Sequence, residues 1–383
     1  MVDTTYIILQ QYWWFIVSLL GALLVFLLFV QGGQTLIYTV AKTDLERTMV
    51  INSLGRKWEF TFTTLVTFGG AFFASFPLFY STSFGGAYWV WMAILFAFII
   101  QAVSYEFRSR ASNLLGAKTY ETFLVINGLL GTILLGTAVG TFFTGSEFSM
   151  VKENLTNISQ PVISAWETPW HGLEAVLNFT NVALGLAVFF LSRVLGSLYF
   201  MNNIDDANIF ARSKKQLLYN TIPFLVFFLY FLGAILLADG FAVEPDSGVV
   251  FMEKYKYFHN LMALPAVLGV LLVGVVLVLW GIGVSLFTTT SKGIWFAGIG
   301  VVLTVLALFL TAGYNNTAYY PSTFNLQHSL TIFNSSSSKY TLTAMSVVSL
   351  LVPFVAAYIF FAWRAINNKK IDAAEMKEDI HVY

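Results

Sequence analysis

Long apolar runs separated by short polar connections follow one another along almost the whole chain. About 20 apolar residues are enough for one helix to cross a bilayer, since each residue adds about 1.5 Å and the hydrocarbon is about 30 Å thick. The short alternating segments typical of membrane β-barrels are missing. The pattern predicts one all-α integral membrane domain over residues 1–383, a bundle of nine transmembrane helices. The predicted spans are residues 12–35, 58–80, 85–107, 122–143, 171–200, 217–239, 258–289, 293–313 and 340–364.

The charge pattern sets the orientation of this bundle. Most of the 20 Lys and Arg residues fall in every second connection between spans. Because basic residues accumulate on the cytoplasmic side, this bias predicts an N-terminus outside and a C-terminus in the cytoplasm. The composition agrees with a membrane protein, since 10% of the residues are charged against about 25% in soluble domains.

The composition also excludes several kinds of chemistry. The chain has no cysteine, which excludes disulfides, thiolate ligands and iron–sulfur clusters, and its net charge of zero gives no argument for nucleic acid. His171, His259 and His328 fall at or beyond the outer membrane edge, and His381 lies in the tail. A haem-binding bundle needs axial ligands in its core. We therefore expect this chain to ligate no haem and no other metal.

Polar residues of three successive spans gather at the predicted inner leaflet. Gln31 and Gln34 lie near the inner end of the first span, Glu59 opens the second, and Glu106 closes the third. Acids at the membrane edge are default functional candidates, because a carboxylate near hydrocarbon needs a task or a partner. This set could form an entrance for protons or cations from the cytoplasm.

A structural interpretation of the same acids stays open. Glu106 is four residues before Arg110 and two before Arg108, so it could form an ion pair at the interface. Glu59 could favour the start of its helix or sit among the lipid headgroups. Trp58 and Arg108 then have structural or interface roles.

Small residues mark one face of the second span. Gly70 and Ala74 are four residues apart, as are Ala71 and Ser75, and Gly69 precedes them. Such a face lets a neighbouring helix approach closely. Pro77 is tolerable because it falls where this helix finishes.

A second polar stripe descends from the outer surface along the fifth span. His171, Glu174, Asn178 and Asn181 are spaced by three, four and three residues, which predicts one helix face. One His and one Glu are too few for a metal site. The stripe therefore predicts hydrogen bonds between helices or, alternatively, an outward route for protons or water.

Several motifs, in order, resemble subunit II of the cytochrome bd quinol oxidases. They are Trp58-Glu59, the run GGAFFASFPLFY at 69–80, Tyr105-Glu-Phe-Arg-Ser109, and the segment from Ser329 to Met345 with Pro353 beyond it. The resemblance covers both ends of the chain, and the middle only by span count.

This resemblance implies a multi-pass protein of the bacterial cytoplasmic membrane that works in a respiratory chain. It implies a larger partner, subunit I, which binds haems b and d and oxidises ubiquinol or menaquinol. Subunit II, not catalytic alone, would support that partner and line a proton-uptake route for the reduction of oxygen to water. The resemblance also leaves room for a bound structural quinone, for lipid and for small accessory membrane subunits.

The sequence departs from the family at the proposed proton positions. Glu59 and Glu106 stand where the family has aspartates, and the longer side chain keeps the charge. Gln31-Gly-Gly-Gln34 replaces an Asp-Gly-x-Asp motif. Glutamine can hold waters but does not exchange a proton near neutral pH, so Glu59 and Glu106 would have to carry the route.

Two other functions remain open. A secondary transporter or ion channel with an inward-facing acidic vestibule would use the same acids, but transporters often have paired broken spans in two halves, and the sequence shows no such pair. In a purely structural scaffold, Glu59 and Glu106 would serve only as ion pairs.

Overall fold

Helices make up most of the architecture. The computed structural model describes residues 3–110, 112–367 and 369–378. In chain order the helices are α1 (Thr4–Leu27), α2 (Phe29–Gln34), α3 (Ile37–Val40), α4 (Asp44–Gly55), α5 (Trp58–Ser75), α6 (Pro77–Phe79), α7 (Tyr88–Phe107), α8 (Ala117–Thr144), α9 (Phe179–Asn203), α10 (Ala207–Leu237), α11 (Lys256–Ala263), α12 (Pro265–Phe287), α13 (Gly293–Gly313), α14 (Ile332–Ser335), α15 (Lys339–Ser349), α16 (Val352–Ile366) and α17 (Glu375–Glu378).

Seven helical segments in the described ranges are long and apolar enough to cross a membrane, with α1 and α2 counted together. Two bent pairs pass the same test only when joined. One runs through α4 and α5 into residues 77–86 with a bend of 117°, and the other joins α15 to α16 with a bend of 42°. The helical membrane fold is confirmed, with seven to nine spans. The sequence pattern did not predict either bend.

Three predicted span boundaries need correction. The fifth span begins at Phe179 and not at residue 171, because Gly172 adopts a left-handed conformation and only a 3₁₀ turn follows it. The sixth begins at Ala207, where the Asp206 carboxylate accepts a hydrogen bond from the Ile209 N–H at 2.8 Å. The predicted span 258–289 is two helices, since Pro265 starts α12 and has no N–H to continue α11.

The second span ends abruptly beside Pro77. Helix α5 stops at Ser75, Pro77 begins α6, and a π-helix covers Tyr80–Gly86. The freed end of α5 is capped from a distant part of the chain, because the Ser337 N–H donates to the Ser75 carbonyl at 2.8 Å. The Ser337 hydroxyl also donates to the Ala74 carbonyl at 2.5 Å. Pro77 therefore lies where the helix finishes, as predicted.

Strands occur only as short hairpins in the described part of the predicted outer loops. All three pairs are antiparallel. They are β1 (Phe148–Met150) with β2 (Ser164–Trp166), β3 (Gly240–Val243) with β4 (Val250–Glu253), and β5 (Ala318–Tyr320) with β6 (Leu330–Thr331).

Aromatic rings fill the core at the end of the bundle next to these hairpins. Trp14 lies over Tyr319 with ring centroids 4.4 Å apart, and Phe72 lies 4.3 Å from Phe79. Phe142 completes this group, and all five side chains are buried. Such rings bury large apolar areas and add favourable edge-to-face contacts. They hold together the halves of α1, α5 and α8 that lie next to the hairpins.

Candidate functional site

Gln31 and Gln34 are fully buried at the opposite end of the bundle. Both lie on α2 and point to α7. Gln31 Nε2 lies 3.4 Å from Gln101 Oε1, and Gln34 Nε2 donates to the Tyr105 hydroxyl at 3.0 Å. Asn127 on α8 donates to the Ala97 carbonyl at 3.0 Å, one turn before Gln101. We call Gln31, Gln34, Gln101 and Asn127 the amide cluster.

Every member of the amide cluster has a polar atom that finds no hydrogen-bond partner among the described residues. The atoms are Gln31 Oε1, Gln34 Oε1, Gln101 Nε2 and Asn127 Oδ1. An unsatisfied buried polar atom costs about 1–3 kcal/mol. Ordered water is the usual partner of such atoms, typically with about three hydrogen bonds per water. The cluster has the chemistry of a small water-holding site inside the bundle.

Two glycines explain how the amides reach this depth. A Cβ on Gly32 would overlap the Ser192 carbonyl, and a Cβ on Gly196 would lie 2.6 Å from the Gly33 nitrogen. Helices α2 and α9 therefore touch backbone to backbone. The Gly-Gly pair between the two glutamines fixes α2 against α9 and directs both amides away from it, towards α7.

Trp58 and Tyr105 connect this cluster to the surface. The two rings stack with centroids 5.7 Å apart and an interplanar angle of 15°. Trp58 Nε1 is buried and finds no acceptor in the described chain. Glu59, the next residue, is exposed in the first turn of α5. The ring stack thus joins α5 to the buried amides through Tyr105, and Glu59 is the exposed residue next to Trp58 in the sequence.

Glu106 does not join this arrangement. Its carboxylate forms an ion pair with Arg110, and both side chains are more than half exposed. The structure therefore separates the four predicted residues, placing both glutamines inside and both glutamates on the surface. The ion-pair alternative for Glu106 fits this geometry, with Arg110 as the partner.

Arg108 pairs with a different acid. Its Nε and Nη2 donate to Glu121 Oε1 at 3.1 and 2.9 Å. Arg47 Nε lies 3.7 Å from the other carboxylate oxygen of Glu121, whose side chain is 3% exposed. Arg47 lies on α4, Arg108 directly follows α7 and Glu121 lies on α8, so this largely buried group links three helices. A structural or interface role for Arg108 stays a prediction that this geometry supports.

The sequence carried a signal for the residues that the prediction omitted. Gln101 and Asn127 are lone amides inside predicted apolar spans, and Glu121 directly precedes such a span. A polar side chain in hydrocarbon is costly unless it has a partner. Their position alone could have marked them, although only the fold shows that they meet Gln31 and Gln34.

The small-residue face of α5 finds no close neighbour helix along Gly70. A Cβ added to Gly69 would only touch the Phe84 ring at 3.4 Å. A Cβ added to Gly70 would meet nothing within 4 Å in the described chain, and Gly70 is exposed. The predicted close approach at Gly70 is therefore not made by any of the described residues.

The predicted polar stripe on the fifth span is not a helix face. His171 has a positive φ of 40° in a turn, Glu174 lies in a 3₁₀ turn, and Asn178 is the N-cap of α9. Only Asn181 lies within the helix. Its Oδ1 accepts from the Thr144 hydroxyl at 2.7 Å, which joins α9 to α8. Hydrogen bonding between helices therefore describes Asn181, and the single stripe is wrong.

The other members of that set make local contacts. His171 Nδ1 lies 3.2 Å from the Gly86 carbonyl, and a Glu174 oxygen accepts from the Gly172 N–H at 2.8 Å. Asn178 accepts from the Thr180 N–H at 2.9 Å. These contacts shape the entry of the chain into α9. The described residues contain no group of three or more His, Cys, Asp and Glu that could hold a metal.

A broad apolar face lies on the outside of α5, α7 and α16. Phe73 and Phe96 are each more than 60% exposed. Helix α16 has no buried residue, and its Phe354 and Tyr358 are more than 70% exposed. A monomer in a bilayer could cover such a face with lipid, and a membrane partner could cover it with protein.

Comparison with known proteins agrees with this architecture. The sequence profile of the family "Cytochrome bd terminal oxidase subunit II" matches residues 9–366. The chain is 26% identical to "Cytochrome bd-I ubiquinol oxidase subunit 2" of Escherichia coli (strain K12), over 94% of this chain and 93% of that protein. It is 24% identical to "Cytochrome bd ubiquinol oxidase subunit 2" of Bacillus subtilis (strain 168), over 82% of each.

A solved structure shows the same fold. The bd oxidase from Geobacillus thermodenitrificans has a chain with a TM-score of 0.65 at 13% identity, and the match covers 94% of this chain and 99% of that one. Together with the profile match over almost the whole sequence, the multi-pass helical architecture leads to one conclusion. The chain belongs to the cytochrome bd terminal oxidase subunit II family.

Proposed function

We propose that this chain is the second subunit of a bacterial quinol:oxygen oxidoreductase of the cytoplasmic membrane. It stabilises a larger haem-bearing subunit I and lines a route for protons from the cytoplasm to the site where oxygen is reduced. Family membership makes the chain an oxidase subunit, and the relatives from E. coli and B. subtilis are named as ubiquinol oxidase subunits. The observation that carries the proton role is the amide cluster, linked by Tyr105 and Trp58 to Glu59.

Glu59 collects protons in this proposal. Its carboxylate is exposed at the start of α5, one residue from Trp58, whose ring lies on Tyr105. Reduction of oxygen to water consumes protons, and a carboxylate can take up and release them. The Tyr105 hydroxyl accepts from Gln34 Nε2 at 3.0 Å, which connects the ring stack to the amide cluster.

The amide cluster conducts but does not store protons. Its four unpartnered atoms provide acceptors and a donor for water molecules. A neutral amide cannot hold an excess proton near neutral pH, whereas a hydrogen-bonded water chain can pass one on. Glu106, paired with Arg110 at the surface, tunes the local charge in this proposal more than it relays protons.

The haems lie on subunit I in this proposal. The described residues offer no cluster of metal-ligating side chains, and His171 and His259 lie outside the helical spans. The exposed face of α5, α7 and α16 is the proposed contact with subunit I. Helix α16 supports this assignment, because it buries none of its residues within the described chain.

The proposal is tested by purifying the protein in mild detergent through a tag on this chain. We expect a larger membrane subunit to co-purify, with haem b and haem d bands in the reduced-minus-oxidised spectrum and quinol-dependent oxygen consumption. A colourless preparation of this chain alone, active in ion flux, would contradict the proposal and favour the transporter.

A further inference from the structure

An apolar cavity of about 60 Å³ lies among α1, α9, α10, α12 and α13. Its lining includes Val25, Leu191, Phe228 and Val301, and every lining residue but Thr304 is apolar. The Thr304 hydroxyl already donates to the Gly300 carbonyl at 2.8 Å. Water needs polar partners and gains none here, so the cavity suits a hydrocarbon group.

Two lining residues, Leu225 on α10 and Leu279 on α12, lie towards the outside of the bundle, since Leu225 is half-buried and Leu279 is 44% exposed. We place the opening of the cavity to the bilayer between them. Both helices show most of their surface to the outside. A hydrocarbon chain can therefore enter from the membrane without passing through the protein.

The groove between these two helices ends at a basic cluster. Lys214 Nζ donates to the Thr288 carbonyl at 2.9 Å, which joins the start of α10 to the end of α12. Lys215 and Lys292 are exposed beside this contact. No Asp or Glu occurs in residues 207–237 or 265–313. The nearest acid before α10, Asp206, caps that helix through the Ile209 N–H. The groove thus carries only positive charge, and only at one end.

The distance from the lysines to the cavity matches one lipid leaflet. At about 1.5 Å per residue, Phe224 and Phe228 lie about 15–21 Å along α10 from Lys214. Half of a bilayer holds about 15 Å of hydrocarbon, with the headgroups beyond it. An acyl chain that reaches the cavity therefore has its phosphate at the level of Lys214.

We infer that the groove between α10 and α12 is a binding site for one anionic phospholipid. One acyl chain fills the cavity behind Leu225 and Leu279, and the phosphate binds Lys214 with Lys292 nearby. Lys214 keeps two N–H donors for it after bonding Thr288. The site is separate from the proposed proton route and does not depend on it.

Native mass spectrometry of the purified complex tests this site. We expect one phosphatidylglycerol or cardiolipin molecule to remain bound after detergent washing. The double variant Leu225→Trp/Leu279→Trp closes the opening and should lower its occupancy about tenfold. The matched variant Leu229→Trp/Val276→Trp places the same rings on lipid-facing positions of the same helices and should leave the occupancy unchanged.

A headgroup variant keeps the test decisive if the tryptophans disturb folding. After delipidation, wild-type complex should bind phosphatidylglycerol more tightly than phosphatidylcholine with the same acyl chains. Lys214→Gln should remove most of that preference, whereas Lys370→Gln should not. Equal occupancy in the closed variant, an unchanged preference in Lys214→Gln, or an isoprenoid quinone retained in place of phospholipid would each overturn the inference.

Discussion

A buried amide needs hydrogen bonds but no counter-charge, whereas a carboxylate in hydrocarbon must be paired or protonated. Gln31 and Gln34 donate to Gln101 and Tyr105. They stand at positions where the family resemblance implies aspartates, and neither amide is titratable. In our proposal, Glu59 therefore carries the demand for proton exchange.

Replacing Glu59 is therefore the direct test of the route. We expect Glu59→Gln to lower oxygen consumption about tenfold or more at equal haem content, because the amide cannot exchange protons. Glu106→Gln, with its ion pair already at the surface, should have a smaller effect. Turnover is measured with an oxygen electrode and divided by haem from the spectrum. Undiminished turnover in the Glu59→Gln variant would show that Glu59 is not part of the proton route.

The amide cluster gives a second test that separates function from stability. We expect Gln31→Leu/Gln34→Leu to slow oxygen consumption and to lower the melting temperature less than Asn260→Leu does, because each leucine removes an unsatisfied acceptor together with a single hydrogen bond. Asn260→Leu is the matched control. The Asn260 amide donates to the Thr311 carbonyl and the Thr317 hydroxyl at 2.9 and 2.8 Å. Loss of these hydrogen bonds should lower the free energy of unfolding by about 1–3 kcal/mol.

Thermal unfolding of the purified complex gives the stability of both variants. A large destabilisation by the double leucine variant, with normal turnover in the molecules that stay folded, would show that the cluster is structural.

At the scale of elements, hydrophobic run length predicted the α13 span to the residue and the α7 and α8 spans within five residues. It failed where backbone chemistry overrides hydropathy. Pro265 splits one apolar run, and Asp206 starts α10 well before the hydrocarbon begins. The contacts between elements were beyond the sequence pattern, since nothing in the pattern says that Gln101 and Asn127 face α2.

The contact between α2 and α9 depends on the absence of one methyl group. We expect Gly32→Ala to destabilise the subunit by about 1–3 kcal/mol, because its Cβ would overlap the Ser192 carbonyl and force the helices apart. Gly269→Ala on the exposed side of α12 is the control, since its Cβ would meet nothing within 4 Å in the described chain and α12 is outside the proposed contact with subunit I. The melting temperatures of the two variant complexes, each compared with wild type, measure this destabilisation. Equal stability would mean that α2 adjusts without strain.

At the scale of the whole molecule, the chain leaves one side of its bundle incomplete. Helix α16 is apolar, yet none of its residues is buried in the described chain, and its main contact is Trp363 near its end, which packs against Phe29 and Phe60. Packing and interhelical contacts, more than hydrophobicity, hold membrane helices together. A span held so loosely is explained if a partner subunit completes its packing.

The absence of cysteine makes this face accessible to a clean experiment. We expect Phe354→Cys and Tyr358→Cys, labelled with a photoactivatable maleimide in membranes, to cross-link to the larger subunit. Leu229→Cys on the exposed side of α10 should yield no such product, because we assign that surface to lipid. Cross-links are read by gel mobility and mass spectrometry. A product from Leu229→Cys alone would move the interface to the other side of the bundle.

The link from Ser337 to the end of α5 has a consequence for biosynthesis. Ser337 follows Ala74 by 263 positions, and Tyr6 also donates to the Ser337 carbonyl at 2.7 Å. A ribosome releases the first two spans long before it makes this serine. The second span therefore enters the membrane before the Ala74 and Ser75 carbonyls at its broken end can accept hydrogen bonds from Ser337. The nascent subunit must shield them, with water or with an insertase, until its last loop is translated.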